Sequence, residues 1–176
     1  MTTKDIQVKK LFITILLPFL LASSAFAALK LNEEAPAFSL RDMDGRDFYL
    51  SDVVGPKSKE KARGVVLSFF ATWCVPCRNE LPIINALVDE FNGKGIKVVI
   101  VNVKEDVDAV REILDELKVH KPIILSDRDG KAAEKYQIRA LPVTFFIGAD
   151  GKVKQIIFGL ISDGKELREG AGKLFQ

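Results

Sequence analysis

"SFFATWCVPCRNELP" (residues 68–82) holds both cysteines of a 176-residue chain, Cys74 and Cys77, between an apolar run and a polar one. Metal capture, a structural staple and redox exchange all use paired cysteines. Two cysteines are too few for a disulfide scaffold. They are also too few for a closed zinc site, which needs four ligands. The single histidine, His120, lies more than forty residues downstream. A copper chaperone built from the two sulfurs and His120 remains as an alternative of a different class.

The flanks place the pair. Upstream, "GVVLSFFA" (residues 64–71) is an unbroken apolar run of strand length, as expected for a strand buried on both faces. Downstream, Leu81, Ile84, Leu87, Val88 and Phe91 recur at helical spacing, with a stop near Asn92 and Gly93. Pro82 inside this pattern predicts a kink rather than a break. The pair therefore sits where a buried strand hands over to a helix. Unsatisfied N–H groups and the helix dipole there favour negative charge, which predicts an exposed, reactive thiolate at Cys74. Cys77 lies one turn deeper and better shielded, close enough to bond Cys74 without moving the backbone far. In such a cycle Cys74 attacks a target disulfide as nucleophile and Cys77 resolves the mixed disulfide.

Working outward, "APAFSLRDMDGRDFYLSDVVG" alternates around Asp44 and Gly45, predicting an N-terminal hairpin followed by a short turn at residues 51–54. Residues 56–63, "PKSKEKAR", read as a solvated loop. "GIKVVIVNV" predicts a second buried strand. An amphipathic helix follows, with Val107, Val110, Ile113, Leu114 and Leu117 on one face, then a short strand "KPIILSD" and a short helix "DGKAAEKYQI". "LPVTFFIGADGKVKQIIFG" predicts two strands around Asp150 and Gly151. A weak terminal helix spans residues 162 to 174, with Gly170 and Gly172 lowering its stability. This order implies an α/β fold with a mixed sheet covered on both faces. Tyr136, Phe145 and Phe146 read as core, and His120 as a surface or loop residue.

The first 27 residues read as a secretory signal peptide: Lys4, Lys9 and Lys10, then an apolar segment, then Ala25 and Ala27 as the small residues before a cleavage site preceding Ala28. The alternative is an uncleaved membrane anchor at residues 11–29, since about 20 residues span a bilayer. Either outcome exports a single domain, residues 28–176. Of 26 basic and 24 acidic residues, three Lys and Asp5 fall in the leader, leaving 23 of each sign in the domain. That balance offers no argument for nucleic-acid binding.

"WCVPC" after an apolar strand, with Pro82 five residues past the second cysteine, resembles the thioredoxin superfamily. "RALPVTFFI" resembles its second landmark, a cis-proline before a strand, which maps onto Pro142. Within the superfamily the chain is similar to the exported TlpA/ResA-type group from about Leu31 to Phe175. The hairpin "APAFSLRDMDGRDFYLSD", a central helical insert at residues 104–127, and "CVPCRNELP" on the pattern C-x-P-C-x-x-E-x-P carry that likeness.

The resemblance implies a thioredoxin-like fold and a thiol–disulfide oxidoreductase with a redox-active Cys74–Cys77 disulfide, no metal and no further cofactor. It implies action in the periplasm or otherwise outside the cytoplasm, on oxidised cysteine pairs of exported proteins such as apocytochrome c, with a membrane thiol electron donor. Trp73, Pro76, Leu141 and Pro142 are the expected substrate-binding residues. Val75 and Pro76 form the dipeptide that tunes reduction potential. Ser68 stands where cytosolic thioredoxin has a buried proton-accepting aspartate, and a hydroxyl cannot do that work. Glu80, three residues past Cys77 on the same helical face, is the expected proton-exchange group. The competing reading has Glu80 merely complementing the helix N-terminus. An oxidase or isomerase of exported proteins is the second enzymatic reading. A thiol peroxidase fits less well, because P-x-x-x-[TS]-x-x-C would need Thr or Ser at residue 71, which is Ala.

Overall fold

The computed structural model describes residues 29–176. The signal-peptide or anchor reading of residues 1–27 lies outside the described residues.

Strand β3 (Gly64–Phe70) is buried along its whole length. Its side chains alternate between the two faces of the sheet. Val66 and Phe70 join one core cluster, whereas Val65, Leu67 and Phe69 join the other. Ser68 shares the face of Val66 and Phe70. Strand β3 pairs in parallel with β4 (Ile96–Val103) and antiparallel with β6 (Val143–Gly148). Continuous apolar sequence in these three strands follows from burial on both faces.

The sheet has seven strands in the order β2-β1-β5-β4-β3-β6-β7. Its remaining members are the hairpin β1 (Ser39–Asp42) and β2 (Asp47–Tyr49), then β5 (Ile123–Asp127) and β7 (Val153–Phe158). Parallel and antiparallel pairings coexist, as the strand and helix order implied. Gly151, with φ +81°, takes the left-handed conformation that turns β6 into β7.

Where a turn was expected at residues 51–54, one turn of helix forms instead, α1 (Leu50–Val53), closed by Val54 N–H donating to Leu50 O at 3.1 Å. Leu50 and Val53 are buried beneath the hairpin, so packing favours a helical turn that puts both inward. Helix α2 (Val75–Gly93) continues through Pro82 without a break and buries Leu81, Ile84, Val88 and Phe91. The proline lacks the N–H that would bond Arg78, and the helix on both sides holds it in register.

The insert at residues 104–127 is more than helical. It contains α3 (Val107–Glu116) and also β5, which lies between β1 and β4 and so ties the N-terminal hairpin to the sheet. Val110 and Leu114 carry the burial of α3. The short helix α4 (Lys131–Lys135) follows, and α5 (Gly164–Gly172) closes the chain with a 3-10 turn at Lys173–Phe175. Asp163 caps α5 by accepting from Lys165 and Glu166 N–H groups at 2.9 Å. Gly170 proves to be a packing requirement: a Cβ there would stand 2.3 Å from Cζ of buried Phe146. Tyr136 packs edge-on against Phe38 and Phe145 in the second cluster, and Phe145 and Phe146 are core on opposite faces. Among the described residues no helix is long and apolar enough to cross a membrane.

Candidate active site

The register brings the distant pieces to one end of the sheet. Phe69, near the end of β3, lies opposite Val143, the first residue of β6, and Val143 lies opposite Phe158, the last of β7. The loop to Cys74, the Leu141-Pro142 segment and the residues after β7 therefore share that end. The Leu141-Pro142 peptide bond is cis. Pro142 is buried, and its carbonyl accepts from Gly159 N–H at 2.9 Å. Leu141 is half-buried and touches both core clusters.

Cys74 is the N-cap residue of α2, with extended backbone, and its sulfur accepts from Cys77 N–H at 3.2 Å. Pro76 occupies the first turn, where its missing N–H costs nothing. Cys74 and Cys77 form a disulfide with S–S 2.02 Å and Cα–Cα 5.2 Å. The expectation of an exposed Cys74 is corrected: it is 5% exposed and Cys77 1%. The Cys74 sulfur turns inward to bond Cys77, and the surface over the pair belongs to its neighbours. Trp73 is 73% exposed, and Val75, Pro76, Phe158 and Leu160 are also exposed, making an apolar rim at this end. The order of shielding between the two sulfurs is as expected.

Beside the rim lies a cavity of about 420 Å³, lined by Leu141, Pro142, Tyr136, Ile156 and Phe158 among others. The hydroxyl of Tyr136 is buried without a hydrogen-bond partner, and burial pushes its phenol well above the usual range.

Glu80 is 1% exposed and belongs to the α2 face that meets the sheet. Its Oε1 accepts from the hydroxyls of Ser68 at 3.0 Å and Thr144 at 3.2 Å, and its Oε2 accepts from Ile161 N–H at 3.0 Å. Ser68 and Thr144 are register partners on adjacent strands. Burial raises the Glu80 carboxyl above its ordinary value; the bonds from Ile161, Ser68 and Thr144 pull it back, and the charge of Glu166 adds to the rise. The competing reading of Glu80 does not fit. It is the sixth residue of α2, and the first turn holds no acid. Sequence reasoning named Ser68 only as a missing acid and did not name Thr144 or Ile161. A polar pair inside the apolar strands was the available signal.

Among the described residues no group of three or more His, Cys, Asp and Glu converges as a metal site. Cys74, Cys77 and His120 thus do not form a ligand set. His120 is exposed, its backbone N–H bonded to Asn85 Oδ1 and its ring 3.8 Å from Asp115.

The model of the AhpC/TSA family matches residues 31–156. The thiol–disulfide oxidoreductase ResA of Bacillus subtilis (strain 168) is 34% identical over 132 residues, 75% of this chain and 69% of the relative. ResA of Geobacillus thermodenitrificans (strain NG80-2) is 35% identical over 135 residues, 77% of this chain and 73% of the relative. A crystal structure from Chlorobium tepidum, provisionally assigned as a thiol:disulfide interchange protein DsbE, superposes with TM-score 0.72 at 27% identity, covering 84% of this chain and 99% of that one. Exchange chemistry in such proteins runs on the cysteine pair itself, without a cofactor. The chain belongs to the thioredoxin-like AhpC/TSA family and, with its buried C-x-x-C disulfide at a helix start, to the ResA-type thiol–disulfide oxidoreductases within it.

Proposed function

We propose that this oxidoreductase works as a reductant outside the cytoplasmic membrane, on disulfides of exported proteins, with Cys74 as nucleophile and Cys77 as resolving thiol. In the forward step the Cys74 thiolate attacks one sulfur of the target disulfide. The S–S bond breaks, a mixed disulfide forms, and the departing target sulfur takes up a proton. Cys77 then gives up its proton and attacks the Cys74 sulfur, releasing the second target thiolate. The target gains two electrons, and the chain is left as the Cys74–Cys77 disulfide. A membrane thiol donor of the same dithiol class would return it to the reduced state.

The observation that carries this reading is Glu80. A buried carboxyl whose burial raises it above its ordinary value, three residues past Cys77 on the same helix, suits the proton that Cys77 must lose and regain. Trp73, Pro76, Leu141 and Pro142 form the face on which the target chain would lie. Apocytochrome c, with its oxidised cysteine pair, is the substrate that the ResA-type likeness favours.

The compartment follows from the leader: residues 1–27 direct export and are removed before Ala28, leaving the domain 28–176. N-terminal sequencing checks this. A cytoplasmic product starting at Met1 overturns it, and a membrane-bound product starting at Met1 shows the leader kept as an anchor.

The substrate is read by trapping in the native host. A Cys77→Ser protein lacks the thiol that releases the target, so it accumulates reducible adducts on a non-reducing gel, and mass spectrometry identifies them. Cytochrome c precursors support the proposal, whereas a broad set of exported proteins indicates a general reductase or isomerase. A reduction potential well below the roughly −120 mV of strong periplasmic oxidants is expected. A value in that range assigns the chain to the oxidase reading.

A further inference from the structure

Four residues join β3 to α2: Ala71, Thr72, Trp73 and Cys74. Cys74 N–H bonds back to Ala71 O at 3.2 Å, within the loop itself, and Trp73 is exposed. Among the described hydrogen bonds, the tether from outside comes from Glu105, 33 residues on. Its Oε2 accepts from Thr72 N–H at 2.7 Å, and its Oε1 accepts from the Thr72 hydroxyl. Oε2 also accepts from Asn102 Nδ2 at 2.6 Å. Three donors thus converge on one carboxylate, and bonds to a charged acceptor are about twice as strong as neutral ones.

The clamp is built from fixed parts. Asn102 is fully buried near the end of β4, opposite Phe70 of β3. Its amide is oriented by Glu105: the NH2 faces the carboxylate and the Oδ1 is left without a partner, since the opposite orientation would set oxygen against oxygen. Glu105 itself sits between two anchored residues. Lys104, in left-handed conformation at φ 60°, donates its N–H to Asp127 O at 3.1 Å. Asp106 caps α3 by accepting from Asp108 N–H at 3.1 Å. The carboxylate therefore arrives at Thr72 from a rigid loop.

We infer that Glu105 is a positioning residue for the exchange reaction: by holding Thr72 it sets the Cys74 sulfur against the Cys77 N–H in the first turn of α2. This rests on Cys74 being the attacking thiol. Loss of the clamp lets Cys74 leave the helix end, and the thiolate loses the stabilisation that end provides.

The test uses the purified full chain, reduced, with iodoacetamide alkylation at pH 7 and redox equilibration against glutathione. Glu105→Ala slows Cys74 alkylation by about twofold to fivefold, the range spanned by charge interactions at helix termini. The equilibrium shifts toward the disulfide by the same factor, about 9 to 21 mV for two electrons. Glu105→Gln restores both values, because its oxygen can face the two N–H donors while its NH2 faces the Thr72 hydroxyl. An Ala variant with wild-type rate and potential overturns the proposal. So does a Gln variant as impaired as Ala, since it keeps the three contacts to Thr72 and Asn102 and yet fails to restore the thiolate. If Glu105→Ala does not fold, Thr72→Val decides: it keeps the backbone bond and loses the hydroxyl, so a smaller shift in the same direction is expected, and no shift overturns the proposal. Peptide mapping of alkylated wild-type protein separates the two layers. Label on Cys77 overturns the nucleophile assignment and the proposal with it, whereas label on Cys74 with unaltered variants overturns the proposal alone.

Discussion

Replacing Glu80 by Ala and by Gln gives opposite outcomes that follow from three hydrogen bonds. Glu80→Ala removes the acceptor for Ser68, Thr144 and Ile161 N–H at a site that is 1% exposed. The hydroxyls can turn to other acceptors, but the Ile161 N–H cannot, and a stranded buried donor costs about 1–3 kcal/mol. With the cavity left by the side chain, a loss of roughly 2–4 kcal/mol is expected. Glu80→Gln keeps the contacts, its oxygen on Ile161 N–H and its NH2 on the two hydroxyls. Its effect depends on pH, and the sign is set by burial, which raises the folded-state value above the ordinary 4.5. The wild-type contribution is complete below about pH 4.5 and is lost as pH rises through the raised value. The stability of Glu80→Gln relative to wild type therefore climbs from pH 4.5 upward, by at most about 1.4 kcal/mol per pH unit, and then levels. Groups such as Glu90, held low by Lys94 and Arg168, act in the opposite sense but cancel in the difference. Urea unfolding of both proteins from pH 4 to pH 8 measures it. A flat difference refutes the raised value. An Ala variant within about 0.5 kcal/mol of wild type refutes the burial argument.

Two further outcomes follow from packing. Gly170→Ala destabilises by about 1–3 kcal/mol in thermal or urea unfolding, because the new Cβ overlaps the Phe146 ring, whereas Gly172→Ala, with open space around it, stabilises by up to about 1 kcal/mol. If both changes stabilise, α5 does not press on Phe146 as described. Tyr136→Phe removes a buried hydroxyl that has no partner, so urea unfolding should show no loss or a gain of up to about 1 kcal/mol; a loss above about 1 kcal/mol would reveal a bond to that oxygen.

Much of the fold was readable because its signals are local. The largely apolar runs of β3, β4 and β6, the helical spacing after Cys77 and the Asp150 and Gly151 turn each depend on neighbours within one element. What escaped is long-range. That β5 inserts between β1 and β4 depends on register across the sheet, which "KPIILSD" alone does not specify. The helical turn of α1 formed because Leu50 and Val53 are both buried, a tertiary preference over a local one. At the site, C-x-x-C and its place on the helix were legible, and Glu80 was legible from its spacing. Its partners at sequence separations of 12, 64 and 81 were not. The inward turn of Cys74 was missed because a cap position predicts helix-end geometry but not side-chain exposure. Asn102 carried an unused signal: an amide inside "VVIVNV" needs a buried partner, and that partner is Glu105.

The exchange cycle depends most directly on the difference between the two sulfurs. Reduced Cys77→Ser and Cys74→Ser proteins, each mixed with oxidised glutathione, are followed by intact mass for formation of the mixed disulfide. Cys77→Ser should form it quickly and hold it, since the resolving thiol is gone, while Cys74→Ser should react at least about tenfold more slowly, its remaining sulfur being deeper and away from the helix end. Equal rates, or faster capture by Cys74→Ser, would contradict the assignment of Cys74 as the attacking thiol.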